Sequence, residues 1–158
     1  MKIKNLLLFC LWLCTACNPW DLWTNSPSKI SEREEGLEVT FWSPKKYYDV
    51  GETIPVTITI ENISKQPITL EGAGDDKPFF DAEYETGGQW VLWSEQFPEQ
   101  AAHHLELMPG EKFEVAITLA PSQARGGSIQ ATVTIKRPEG GKSTLPFSFS
   151  VIYGGTIE

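Results

Sequence analysis

The chain has 158 residues, carries 21 Asp and Glu against 13 Lys and Arg, and has a formal net charge of −8. Nucleic acid and anionic headgroups repel such a surface, because phosphate binding depends on Lys and Arg neutralising charge. No nucleic-acid partner is expected, and any hold on a membrane must come from something other than a basic patch.

Lys2 and Lys4 precede an apolar run, Leu6–Leu13, that is too short for a membrane-spanning helix of about 20 residues. It has the length of a signal-peptide core, and small residues Thr15 and Ala16 lead into Cys17. That arrangement resembles the bacterial lipoprotein processing box, whose cysteine is acylated; Cys14 stands where the box usually carries Leu. An ordinary secretory leader with an incidental cysteine is the alternative. The expected organisation is a leader over 1–16, a lipidated Cys17 with a tether over 17–35, and one domain over 36–158. The 3 cysteines, Cys10, Cys14 and Cys17, all lie at or before the cleavage point. The domain therefore has no disulfide and no thiol chemistry, and must be held by packing. Pro19, Pro27, several serines and the run Glu32–Glu35 read as tether. Trp20, Leu22 and Trp23 suit a membrane interface or docking on the domain.

Leu37, Val39 and Phe41 alternate with polar positions, giving a first strand, and Ser43–Gly51 reads as a connection. The strongest signal is Thr53–Asn62, where Ile54, Val56, Ile58 and Ile60 share one face. Burial of those four side chains contributes about 6–12 kcal/mol gross, and a lone strand cannot collect it. Further strands are expected at 67–71, 79–85, 89–94, 104–107, 113–119, 129–136 and 145–151. Gly- and Pro-rich turns separate them, and 95–102 and 120–127 are longer loops. Strands 113–119, 129–135 and 145–151 are expected to face 53–62. No convincing helical period appears. The fold class is all-β: an immunoglobulin-like antiparallel sandwich of two sheets and about 7–9 strands.

The chemistry-bearing residues are sparse. His103 and His104 are consecutive and point to opposite faces of a strand, which does not suit one metal ion. Asp75 and Asp76 beside Asp81, Glu83 and Glu85 form the best oxygen cluster, but without the spaced acidic loop that calcium favours; a solvated acidic loop is the plainer reading. No nucleophile elbow or triad motif is present, so no enzyme activity, cofactor or metal is expected. Trp42, Trp90, Trp93 and Phe97 are read first as core, and otherwise as an aromatic platform for sugar or peptide. Asn62-Ile63-Ser64 fits the glycosylation pattern.

Ile58-Thr59-Ile60-Glu61-Asn62 with Ser64, Pro67–Leu70, Phe80-Asp81, Gly88 through Trp93-Ser94, Phe97, Gln100 and Leu107–Glu111 occur in an order that resembles the intracellular proteinase inhibitor (BsuPI) domain family. That family is an immunoglobulin-like bacterial module. The chain departs from the pattern at Trp90-Val91, which is reversed, and at Lys77-Pro78-Phe79, where an aromatic-Gly-Gln element is usual. The resemblance implies a binding domain with a protein partner, specifically a protease, met by an exposed loop. The candidate contact residues are Trp93, Phe97, Glu99 and Gln100 in the first loop and Arg125 in the second. Carbohydrate binding through exposed tryptophans is the alternative. The expected product is a monomeric lipoprotein outside the cytoplasm, tethered through its lipid. Asn18 after the cysteine points to the outer membrane if the cell has two.

Overall fold

The computed structural model describes residues 26–49, 52–74, 76–86, 89–119, 127–137 and 140–153. The leader, Cys17, the early tryptophans, Asp75 and Arg125 lie outside the described residues. Two sheets pack face to face. One has four strands, in the order β1 (Ser28–Glu34), β2 (Leu37–Ser43), β4 (Ile54–Asn62), β9 (Lys112–Leu119). The other has seven: β3 (Tyr47–Tyr48), β11 (Lys142–Tyr153), β10 (Gly127–Lys136), β5 (Ile68–Glu71) and β8 (His104–Leu107) in that order, with β6 (Phe80–Thr86) also on β10 and β7 (Gln89–Leu92) on β6. All pairings are antiparallel except the short β3–β11 bridge. The domain is an all-β, immunoglobulin-like sandwich.

Period-two alternation carries the core. In β4, Ile54, Val56, Ile58 and Ile60 are all buried while the residues between them are not. Register puts these side chains beside Phe41 and Val39 of β2 and beside Val115, Ile117 and Leu119 of β9. Leu145, Phe147 and Phe149 of β11 and Ile129, Ala131 and Val133 of β10 complete the buried layer. Phe41 stacks on Phe149, ring centroids 5.6 Å apart, which ties the outer part of one sheet to the other.

Three expectations are corrected. Residues 28–34, read as tether, form an edge strand whose pattern is mostly exposed, so it shows no apolar alternation. Its pairing with β2 is set by the two-residue turn Glu35-Gly36, in which both residues have positive φ, 50° and 82°. A β-carbon on Gly36 would also lie 3.0 Å from that of Ser64. Strand 113–119 does not face β4 but lies beside it as β9, because alternation gives a strand's period and not its sheet. Finally, the connection after β2 contains β3. Its Tyr48 is buried and shares a hydrogen bond with the buried Ser43 hydroxyl, which also donates to Pro55 O at 3.0 Å. These additions bring the described strands to eleven.

Asn62 locks one end of the sandwich. Its side chain is fully buried, and its Nδ2 donates to Gln66 O and to Leu107 O, each at 2.8 Å. Its Oδ1 accepts from Ser64 N at 2.9 Å and from Ser64 Oγ at 2.8 Å. Its backbone N–H donates to Glu111 O, and its carbonyl accepts from Gly110 N. One residue thus fastens the β4–β5 turn, the end of β8 and the β8–β9 turn. With both amide hydrogens engaged, the sequon Asn62-Ile63-Ser64 is closed to glycosylation in the folded domain.

Asn62→Ala removes the four side-chain hydrogen bonds to Gln66 O, Leu107 O, Ser64 N and Ser64 Oγ, each contributing about 0.5–1.5 kcal/mol. It is expected to lower the unfolding free energy by about 2–4 kcal/mol, read from urea denaturation. Asn62→Asp, matched in size but lacking the two donors, is expected to be at least as damaging.

Candidate functional site

The segment between β7 and β8 is where the resemblance places a contact loop, and it has defined geometry. After β7 the chain makes one helical turn, α1 (Trp93–Gln96), then a 3₁₀ turn over Pro98–Gln100. The N–H groups of Phe97, Gln100 and Ala101 donate to the carbonyls of Trp93, Phe97 and Pro98. Pro98 opens the second turn, where its fixed φ and missing N–H cost nothing.

Two fasteners hold the segment to the sandwich. Trp93 is 2% exposed, with its ring 5.9 Å from Phe80 and 6.3 Å from Phe97. Asp81 of β6 reaches across to Ser94: Oδ1 accepts from Ser94 N at 3.1 Å and from Ala82 N at 2.9 Å, and Oδ2 accepts from Ser94 Oγ at 2.6 Å. The Tyr84 hydroxyl donates to Gln96 Oε1, and burial pushes its ionisation upward, which keeps it a donor.

Trp93 is therefore removed from the candidate contact residues. Strand alternation puts Val91 and Trp93 on one face, and that face meets the core: Val91 packs against it and Trp93, where α1 begins, is buried in it. Phe97 is half-buried under it. Glu99 and Gln100 are exposed as expected, together with Glu95 and Gln96. Trp90, one of four aromatics in the platform reading, is 48% exposed on β7, at the segment's threshold. Trp42 is 40% exposed but belongs to β2 in the other sheet, so the tryptophans do not form one platform. Asp81 spends both oxygens on the segment. Among the described residues, no three His, Cys, Asp or Glu side chains are grouped to hold a metal ion.

A feature that sequence patterning did not reveal is an open groove of about 1280 Å³ at the turn end, lined by Glu35, Ser64, Pro67, Ile68, Lys136 and Arg137 among others. Two of its cations are matched by carboxylates: Arg137 pairs with Glu35 and Lys136 with Glu71, both at 3.1 Å. These partners are far apart in the chain, so no local motif signals the groove.

The class is an immunoglobulin-like β-sandwich domain. No known protein-family profile matches the chain, and no curated protein matches it by sequence. Among solved structures it is similar to Spo0M, a sporulation control protein of Bacillus subtilis, with a TM-score of 0.51 at 12% identity over 78% of this chain and 51% of that one. The chain thus spans about half the length of Spo0M. It is also similar to the CARDB domain of PF1109 from Pyrococcus furiosus (TM-score 0.43, 16% identity, 75% of this chain and 94% of that one). A third likeness is to ApaA of Bordetella pertussis (TM-score 0.44, 15% identity, 81% of this chain and 90% of that one). At such identities the likeness to Spo0M speaks to the fold alone.

Trp93→Ala is expected to cost about 3–5 kcal/mol in denaturant unfolding, the range for a buried Trp or Phe. Trp90→Ala is expected to stay within about 0.5 kcal/mol of the parent, as an exposed substitution should. Asp81→Ala is expected to speed amide exchange across 94–101 selectively.

Proposed function

We propose that this chain is an extracytoplasmic lipoprotein whose domain binds a protein partner through Trp90 and the 94–101 segment. One observation carries this reading. A large aromatic side chain stands exposed beside a carboxylate-bearing segment whose backbone is clamped in place by Trp93 and by the Asp81–Ser94 bonds. A rigid contact segment loses little conformational entropy on binding, and exposed aromatics are enriched among residues that dominate interfaces.

Protease inhibition is the specific form, supported by the resemblance to the proteinase inhibitor domains. The coiled backbone of 93–100 does not offer an extended strand to a catalytic cleft, so such an inhibitor would cover a cleft instead of threading it. Acylation at Cys17 would supply the membrane attachment, in the outer membrane where a cell has two.

Capture from an envelope extract tests the partner reading. The full chain is expected to retain a partner that Trp90→Ala with Glu95→Lys and Glu99→Lys loses at unchanged melting temperature. Retention of every bound protein by that variant, or by alanines across 95–102, overturns it. Any captured protease is assayed for inhibition by the pure protein. Cys17→Ser is expected to abolish metabolic labelling with a fatty acid and release the protein to the soluble fraction.

Carbohydrate binding is a second reading, and Trp42 favours it. The indole stands on the outer face of the four-stranded sheet, opposite Lys29 and Thr57 in register and one rank from the hydrogen-bonded Ser31–Thr40 pair. An aromatic face flanked by hydroxyls suits a sugar ring. A fluorescence shift on adding soluble envelope glycans, lost in Trp42→Ala, supports this second reading; an unchanged spectrum removes it.

A further inference from the structure

The two sheets leave edges that differ sharply in how they are guarded. A free edge strand offers unpaired N–H and C=O groups to any passing strand, and natural sheets blunt it with charge, proline or brevity. β3 has 2 residues, and β7 and β8 have 4 each. β1 is longer but reads SKISERE, a charged sequence. β9 has none of these guards over most of its 8 residues, KFEVAITL: charge is confined to Lys112 and Glu114, and there is no proline. Among the described residues, β9 pairs only with β4.

The ladder shows which groups point outward. Asn62 N–H donates to Glu111 O at 3.0 Å, which makes 62 and 111 a bonded pair. Bonded and non-bonded pairs alternate in an antiparallel ladder, so Phe113, Val115, Ile117 and Leu119 bond to Ile60, Ile58, Val56 and Ile54. Pro55, which has no N–H, falls opposite Thr118 in a non-bonded pair, as that phase permits. The N–H and C=O groups of Lys112, Glu114, Ala116 and Thr118 therefore face away from β4.

This edge lies on the side of the sandwich that carries the clamped segment. Phe113 of β9 packs edge-on against Phe79 at 5.2 Å, and Phe79 N–H donates to Ala102 O at the segment's end. The elements on this side carry exposed Glu95, Glu99, Glu106, Glu111 and Glu114. The one lysine of β9, Lys112, is paired with Glu61 at 2.9 Å.

We propose that the free edge of β9 seats an extended, Lys- or Arg-bearing segment of the protein partner, which adds as a fifth strand to the four-stranded sheet. Main-chain bonds to Lys112, Glu114, Ala116 and Thr118 supply register, and the carboxylates nearby supply charge selection. This rests on the protein-binding reading and names the chemistry of the partner.

The test pans a displayed library of short unstructured segments on the full chain. Selected segments are expected to be enriched in Lys and Arg at alternate positions and poor in proline. Adding one as a synthetic peptide is expected to slow amide exchange at Glu114, Ala116 and Thr118, while Val115 and Ile117 are protected already. Ala116→Pro removes one outward N–H without touching a bond to β4, and is expected to weaken binding at least tenfold. Affinity unchanged in Ala116→Pro, peptide binding without new protection along β9, or selected segments that are acidic overturns the proposal. So does a free protein that is already a dimer with those amides protected, since a second copy then holds the edge. If Ala116→Pro fails to fold, the exchange measurement on the parent decides alone. Should β9 prove inert while the Trp90, Glu95 and Glu99 variant still loses its partner, the binding reading stands and the strand-addition proposal falls. The reverse result keeps the edge site and dismisses the segment.

Discussion

The buried carboxamide of Asn62 is the constraint on which the rest of the sandwich hangs. A buried amide has two hydrogens to place and two lone pairs to fill, and here all are used within one residue's reach. Because the partners sit on β8 and on the turn after β4, the side chain measures the gap between the two sheets at that end. A hydrophobic residue of similar volume fills the space but forfeits the bonds to Gln66 O, Leu107 O and Ser64. The hydrogen bonds define register and the apolar faces supply the driving force; neither does the other's task.

Much of this was legible in the residues themselves. Ile54, Val56, Ile58 and Ile60 announce a half-buried strand because alternation is a direct readout of which face meets the core. The same is true of Val115, Ile117 and Leu119, and of Leu145, Phe147 and Phe149. What alternation cannot carry is partnership. Nothing in KFEVAITL distinguishes lying beside β4 from lying across from it, and that assignment depends on pairing over 55 residues of chain. β1 was invisible for the opposite reason: its stability comes from backbone bonds to β2 and needs no apolar side chains. Trp93, read first as core, also counts with the contact loop that follows it; its burial bears out the core reading, and alternation already groups it with Val91, which packs against the core.

The motifs that carry the resemblance turn out to share a physical task. Asn62 with Ser64 fastens turns; Asp81 with Ser94 clamps the segment after β7; Pro109-Gly110 closes the β8–β9 turn, where Gly110 has φ 81°. Each is a polar device for holding loops to a sandwich. Such devices recur wherever the architecture does, which is why they are informative about fold and silent about partner. Exposed groups such as Trp90, Glu99 and the outward amides of β9 are the ones free to differ in purpose, and no short motif encodes them.

The double use of β10 has a temporal consequence. Its one edge pairs with β6 over residues 129–133 and with β5 at 135–136, and its other edge pairs with β11 along its whole length. β10 and β11 follow β5, β6, β7 and β8 in the chain, so those four can form only the β5–β8 and β6–β7 pairs until β10 is made. Long-range pairing of this kind makes folding slow. A nascent chain stopped before β10 keeps its apolar faces uncovered, a species for chaperones to hold. The same wiring that joins the finished domain thus keeps the growing one pliable until β10 docks.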